Sequence, residues 1–243
     1  MQLTVGRHRF SGKDARRTLL HAVDFLDDYP AAAHPHQGDR RERIAAAVAG
    51  IDLRTGDAEE LARPLAAVWA ELLSARQDLI AAGGLPSRST GSVVQLSVSD
   101  GGVPKRSAEH VDVDESGVVG DRQATRNHHG SPFQALCIWN LESVDHLASL
   151  GHPIMPGAAG ENVTMSGIDW PSVMPGVRLR IGSVLGEVSS YAEPCKQNAR
   201  WFSDGDFTRI HNRNGLWSRM YCTVLEAGEV RVGEPVVLEP ASS

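Results

Sequence analysis

Apolar residues recur at helical spacing through the first third of the chain and at strand spacing beyond it, which predicts two kinds of structure in succession. Leu19, Val23 and Leu26 fall at i, i+4 and i+7, and Leu61, Leu65, Val68 and Leu72 repeat at four, three and four. Such stripes are the buried faces of amphipathic helices. Asp57 with Glu60 forms a candidate capping box, while Pro64 inside the second row predicts either a kink or a start near Ala62. His34-Pro35-His36-Gln37-Gly38 breaks the two helices apart. Its histidines have no third ligand nearby and read as a solvated loop rather than a metal site.

Residues 83–91 are a linker by composition, and across them the period changes from about 3.6 to about 2. Val94, Leu96 and Val98 then alternate with Gln95, Ser97 and Ser99. Further short strands are predicted at 111–113, 136–139, 163–165, 177–181, 184–190, 219–225 and 236–238. One helix interrupts them, capped by Asn140, carrying Leu141, Val144 and Ala148, and ended by Gly151. The expected fold is α+β: a helical N-terminal segment over 1–82, a linker over 83–91, and a mainly β domain over 92–240 whose strands curl into a barrel.

A hydrophobic share of 41% and a charged share of 22% exclude collagenous, coiled-coil and disordered classes, and 243 residues suffice for a sizeable core. No apolar run approaches the ~18 residues of a membrane span. The basic opening stretch has no apolar block behind it, so a cytoplasmic chain without a signal peptide is expected. The net charge of −6 arises beyond residue 89, where 12 basic residues face 18 acidic ones. No nucleic-acid partner is expected, because phosphate binding wants a basic face.

Cys137, Cys195 and Cys222 form no C-x-x-C pair, which argues against a disulfide framework, a zinc finger or an iron–sulfur cluster. Cys195 follows Pro194 at a predicted strand end and precedes Lys196, a setting in which cations and backbone N–H groups suit an anionic sulfur. Lys196, Arg200, Arg209, Arg213 and Arg219 outnumber Asp204 and Asp206 there, making a candidate anion pocket; a structural cysteine in a solvated loop is the equal alternative. Cys137 and Cys222 sit in apolar strand patterns and read as core. The 120–131 loop gathers Asp121, Arg122, Arg126, His128 and His129, able to hold an anion or move protons. Residues 157–162 read as a tight bend. Phosphate-loop, dinucleotide, H-E-x-x-H and G-x-S-x-G motifs are absent.

Taken in order, Gly120-Asp121-Arg122-Gln123, His129-Gly130, Ala135-Leu136-Cys137, the run from Pro156 to Thr164, Ser166-Gly167-Ile168, the run from Pro175 to Gly182, and Pro194-Cys195 resemble the MOSC domain over roughly residues 91–240. The likeness is nearest to the stand-alone bacterial branch related to hydroxylaminopurine-resistance proteins. It implies a β-barrel-like fold holding a pyranopterin molybdenum cofactor, with Cys195 as the metal ligand. Lys105, Glu161 and Asn162 are then cofactor-binding candidates, and spacing adds Lys196 and Arg200. The implied reaction reduces N-hydroxylated compounds such as hydroxylamines and amidoximes to amines, with Asp121 and His129 as proton-delivering candidates. Electrons would come from a separate reductase, since no flavin, haem or iron–sulfur signature is seen. Pyridoxal phosphate is not expected, because in the wider family it belongs to a larger aminotransferase-like domain. Ser131 stands where many members carry glycine, and Ala192-Glu193 where many carry arginine. Two other classes remain beside the enzyme: a carrier whose Cys195 bears a persulfide, and a binding module worked by the helical segment.

Overall fold

The computed structural model describes residues 2–5, 8–54, 58–86, 88–122 and 131–239. Helix was expected at the start, but the chain opens on an antiparallel hairpin, β1 (Gln2–Val5) with β2 (His8–Ser11). Runs of four residues carry too little period to read; burial decides them, with His8 and Phe10 turned inward and Arg9 and Ser11 outward. Helices α1 (Gly12–Leu20), α2 (Ala22–Asp27), α3 (Gln37–Val48) and α4 (Ala58–Ala81) follow. The histidine segment forms a 3-10 turn over Ala31–His36, with His34 Nε2 2.9 Å from the Tyr29 carbonyl oxygen. Helix α4 starts before Pro64 and runs through it. Leu61, Leu65, Val68 and Leu72 are all buried on one face, which offsets the hydrogen bond a proline forfeits. Asp57 of the expected capping box lies outside the described residues.

Beyond these helices come β3 (Ser89–Val98), β4 (Arg106–Ala108), β5 (His110–Asp114), β6 (Gly117–Val118), β7 (Leu136–Asn140), α5 (Leu141–Ser149), β8 (Val163–Ser166), β9 (Arg178–Ile181), β10 (Val184–Ala192), β11 (Arg219–Glu226), β12 (Gly228–Arg231) and β13 (Pro235–Glu239). Seven of them close a barrel in the order β3-β8-β7-β11-β10-β9-β13, and β13 returns to β3 with Val236 opposite Gly91. Closure leaves the ring without an edge. β4 extends β3, while β5, β6 and β12 form a small separate sheet. β7 and β8 run parallel, so the chain between them must cross over; that crossover carries α5 and the loop before β8. Leu147 rather than Ala148 takes the inner face of α5, and Asn140 precedes it without a side-chain capping bond. A bulge between Val93 and Gln95 buries Val93 and leaves Val94 half-buried, so the simple alternation expected for this strand breaks. β3 also begins inside the stretch read as linker.

The helical and barrel cores interlock. Phe133, from the barrel side, lies among the helical residues, its ring 5.6 Å from both Phe10 and Phe25 and stacked on Trp69 at 5.3 Å. The buried Arg76 of α4 donates to the Gly176 carbonyl at 2.9 Å and lies 3.2 Å from Glu187 on β10. Among the described residues no helix is long and apolar enough to cross a membrane.

Candidate functional site

A cleft of about 830 Å³ opens between α1–α2 and the barrel, where residues from β7, β10, β11 and the 156–162 loop meet. Cys195 lines it and is exposed, whereas Cys137 and Cys222 are buried. The chain turns immediately after Cys195 into a 3-10 helix over Lys196–Trp201, and a reciprocal pair of bonds fixes the turn: the Asn198 N–H donates to Cys195 Sγ, and the Cys195 N–H donates to Asn198 Oδ1 at 3.1 Å. Asn198 is buried and its Nδ2 donates to the Ala159 carbonyl at 3.3 Å. The cysteine is thereby tied to the 156–162 loop by a residue the sequence did not mark.

Three of the expected residues converge behind it. Lys105 Nζ lies 2.5 Å from Asp121 Oδ2, with side chains 7% and 4% exposed. Asp121 Oδ2 also accepts from Asn162 Nδ2 at 2.9 Å, and Oδ1 accepts the Ser99 N–H at 2.7 Å. Oxygens so occupied suit an anchor for Lys105, whereas proton delivery needs an oxygen free to face substrate. Asn162 Oδ1 takes the Cys137 N–H at 3.2 Å. Gly157, at φ +81°, is the point where a side chain is excluded: a Cβ would sit 2.9 Å from Ser97 Oγ and 3.1 Å from the Lys105 carbonyl. Its own carbonyl accepts the Lys105 N–H at 3.0 Å. Glu161 is fully buried and accepts from the Gly157 N–H at 2.6 Å, and burial holds its carboxyl above the usual range. It shapes the loop and does not line the cleft.

Of the expected anion pocket, Lys196, Arg213 and Arg219 line the cleft. Arg200 instead donates to the carbonyls of Gln197 and Val103, and Arg209 pairs with Asp204. Arg219 is buried: Nη1 donates to the Ala159 carbonyl, Nη2 reaches that of Glu193 at 3.5 Å, and Nε has no partner among the described residues. Cys137 forms part of the cleft wall rather than the barrel core, packing with Ala192 and Tyr221. Burial pushes its thiol up to about 11, against the pull of Arg219. His129 lies outside the described residues. Ser131 has φ −76°, so this position makes no demand for glycine. Glu193 is exposed at the mouth, 3.7 Å from His211 Nε2.

The helical segment supplies the facing wall. Arg17 Nη2 donates to Gln134 Oε1 at 2.6 Å, and Asp28 Oδ2 accepts the Tyr191 N–H at 3.0 Å; both line the cleft, with His21, Asp24 and Phe25. Burial is the main cause that raises the Asp28 carboxyl to about 7. These residues sit in ordinary amphipathic helices, and no local signal could have found them.

Comparison with known proteins gives a domain match: residues 125–237, just under half of the chain, match the MOSC domain. The chain carries a MOSC domain. The uncharacterized protein YflK of Bacillus subtilis (strain 168) is 30% identical over 115 residues, covering 47% of this chain and 52% of that one. Protein YiiM of Escherichia coli (strain K12) is 29% identical over 128 residues, covering 51% and 57%. The chain thus spans about half the length of the curated relatives it matches. Among solved structures, the YUAD protein from Bacillus subtilis superposes with a TM-score of 0.52 at 19% identity, over 63% of this chain and 97% of that one. YiiM from Geobacillus stearothermophilus does so at 0.50 and 24%, over 61% and 75%. These likenesses show the barrel fold of the MOSC domain; the helical wall of its cleft comes from outside the matched residues.

MOSC domains are associated with molybdenum-cofactor-related proteins, and the cleft fits such a group. Among the described residues no three His, Cys, Asp or Glu side chains gather as a metal site. A metal held by Cys195 would therefore take its other ligands from a cofactor rather than from the described residues. The Nε of Arg219, without a partner among the described residues, and the buried ammonium of Lys105 offer N–H donors to an anionic portion of it.

Proposed function

We propose that the protein is a reductase of N-hydroxylated compounds that works with a molybdenum cofactor held through Cys195, in the cytoplasm and beside a separate electron-donating reductase. One observation carries this reading: the exposed thiol and the buried cations Lys105 and Arg219 border one cleft, while the other two thiols are buried. A soft sulfur suits a soft metal, and buried cations suit the phosphate of a pterin group. The bound cofactor would supply two-electron redox chemistry. The chain does the rest. Asn198 orients Cys195 Sγ, Asp121 and Asn162 hold Lys105 in place, and α1–α2 narrow the approach from solvent. The reaction balances as R–NH–OH plus two electrons and two protons giving R–NH2 and water.

The test is metal content and turnover of protein made in a cofactor-competent host. Near-stoichiometric molybdenum and amidoxime reduction are expected, both lost in Cys195→Ser and both kept in Cys137→Ser. Molybdenum retained by Cys195→Ser would refute the ligand assignment. The exposure of Cys195 also favours a sulfur or cofactor carrier, which a protein-bound persulfide without turnover would reveal.

A further inference from the structure

Reduction of an N–O bond consumes two protons, and Asp121, the one expected donor that the structure describes, has its oxygens committed to Lys105, Asn162 and Ser99. The opposite wall holds a carboxyl in a different state. Asp28, just after α2, is half-buried, lines the cleft that Cys195 lines, and is aimed by one hydrogen bond from the Tyr191 N–H at 3.0 Å. No ion pair engages it among the described residues. The charged groups around it are spoken for elsewhere: Asp27 pairs with Arg41, Asp24 lies 3.0 Å from His21 Nδ1, and Glu193 faces His211 at 3.7 Å. Arg17 is turned toward Gln134, and Arg213 borders the mouth. Tyr191 is held protonated by burial and by Asp28 itself.

We propose that Asp28 is a catalytic acid of this cleft, handing a proton to the N–O group of the substrate as that bond breaks, so that the helical segment is part of the active site. The proposal rests on the reductase reading above. One proton comes from the Asp28 carboxyl, the second from solvent, and the two electrons from the reductase partner; oxygen leaves as water, and the carboxylate is reprotonated through the open mouth. Desolvation and the neighbouring carboxylates keep the acid form present near pH 7, where an ordinary aspartate is fully ionised.

The experiment uses the loaded full chain, benzamidoxime as substrate and a reduced viologen as electron donor. Wild-type kcat should fall as pH rises through about 7. Asp28→Asn keeps an acceptor for the Tyr191 N–H, so molybdenum content should be unchanged while kcat drops about 100-fold or more and the alkaline limb disappears. A readout independent of turnover is the Tyr191 amide nitrogen shift in the unloaded chain, which should titrate near pH 7 in wild type and be flat in Asp28→Asn. An active wild type matched by an equally active Asp28→Asn, or a Tyr191 amide that does not titrate, overturns the proposal alone. A fully loaded wild type inert toward hydroxylamines and amidoximes overturns the reductase reading and the proposal with it.

Discussion

Deleting the carboxylate of Asp121 tests whether the cleft is built around an anchored lysine. In Asp121→Ala the Lys105 ammonium, 7% exposed, loses its counter-ion at 2.5 Å, and the Ser99 N–H and Asn162 Nδ2 lose acceptors at 2.7 and 2.9 Å. Breaking a buried pair from one side costs about 3–5 kcal/mol, because the remaining charge stays buried without compensation. Stranding one backbone donor adds about 1–3 kcal/mol. Water entering from the cleft relieves part of both, so a net loss of about 4 kcal/mol is expected, a large share of a typical ~5–15 kcal/mol. At a urea slope of about 3 kcal/mol/M, the unfolding midpoint falls by about 1.3 M. Asp121→Asn, which still accepts from Ser99, should lose roughly half as much. The double variant Lys105→Met, Asp121→Leu should recover most of the stability without restoring cofactor affinity. A loss below about 1 kcal/mol in Asp121→Ala would mean that Lys105 is solvated through the cleft and that Asp121 anchors nothing.

Asp28 carries a stability signature of opposite sign. Its folded-state value of about 7 stands above the ordinary 3.8, so across that window the folded chain binds a proton that the unfolded chain lacks. Stability therefore falls as pH rises from about 4 to about 7, and Asp28→Asn should raise the melting temperature at pH 8 with a gain that shrinks toward pH 4; a gain independent of pH would contradict this. Gly91, read from composition as linker, lies in β3 where an added Cβ would stand 2.0 Å from the Ser166 carbonyl oxygen. Gly91→Ala should cost about 3 kcal/mol in denaturant unfolding, and a neutral result would contradict so close an approach of the two strands.

Period and punctuation alone determined the succession of helices and short strands, because amphipathic stripes and Gly, Pro and Asp turns are local signals. Neighbouring residues marked Cys195 as the thiol with cationic company, and the resemblance to the MOSC domain pointed to Lys105, Asp121 and Asn162, which the barrel brings together. Only the tertiary structure decided the rest. Short β1 and β2 take their form from the burial of His8 and Phe10 against other elements, and the inner face of β3 is moved by a bulge that depends on its partner strand. Arg200 and Arg209 turned to neighbours from other turns and loops, while Glu161 went under the loop that it shapes. The opposite wall, with Arg17 and Asp28, depends on Phe133 and Arg76 joining two cores across the chain. A cleft between segments far apart in sequence is set by which faces are buried against each other, and no local pattern encodes that pairing.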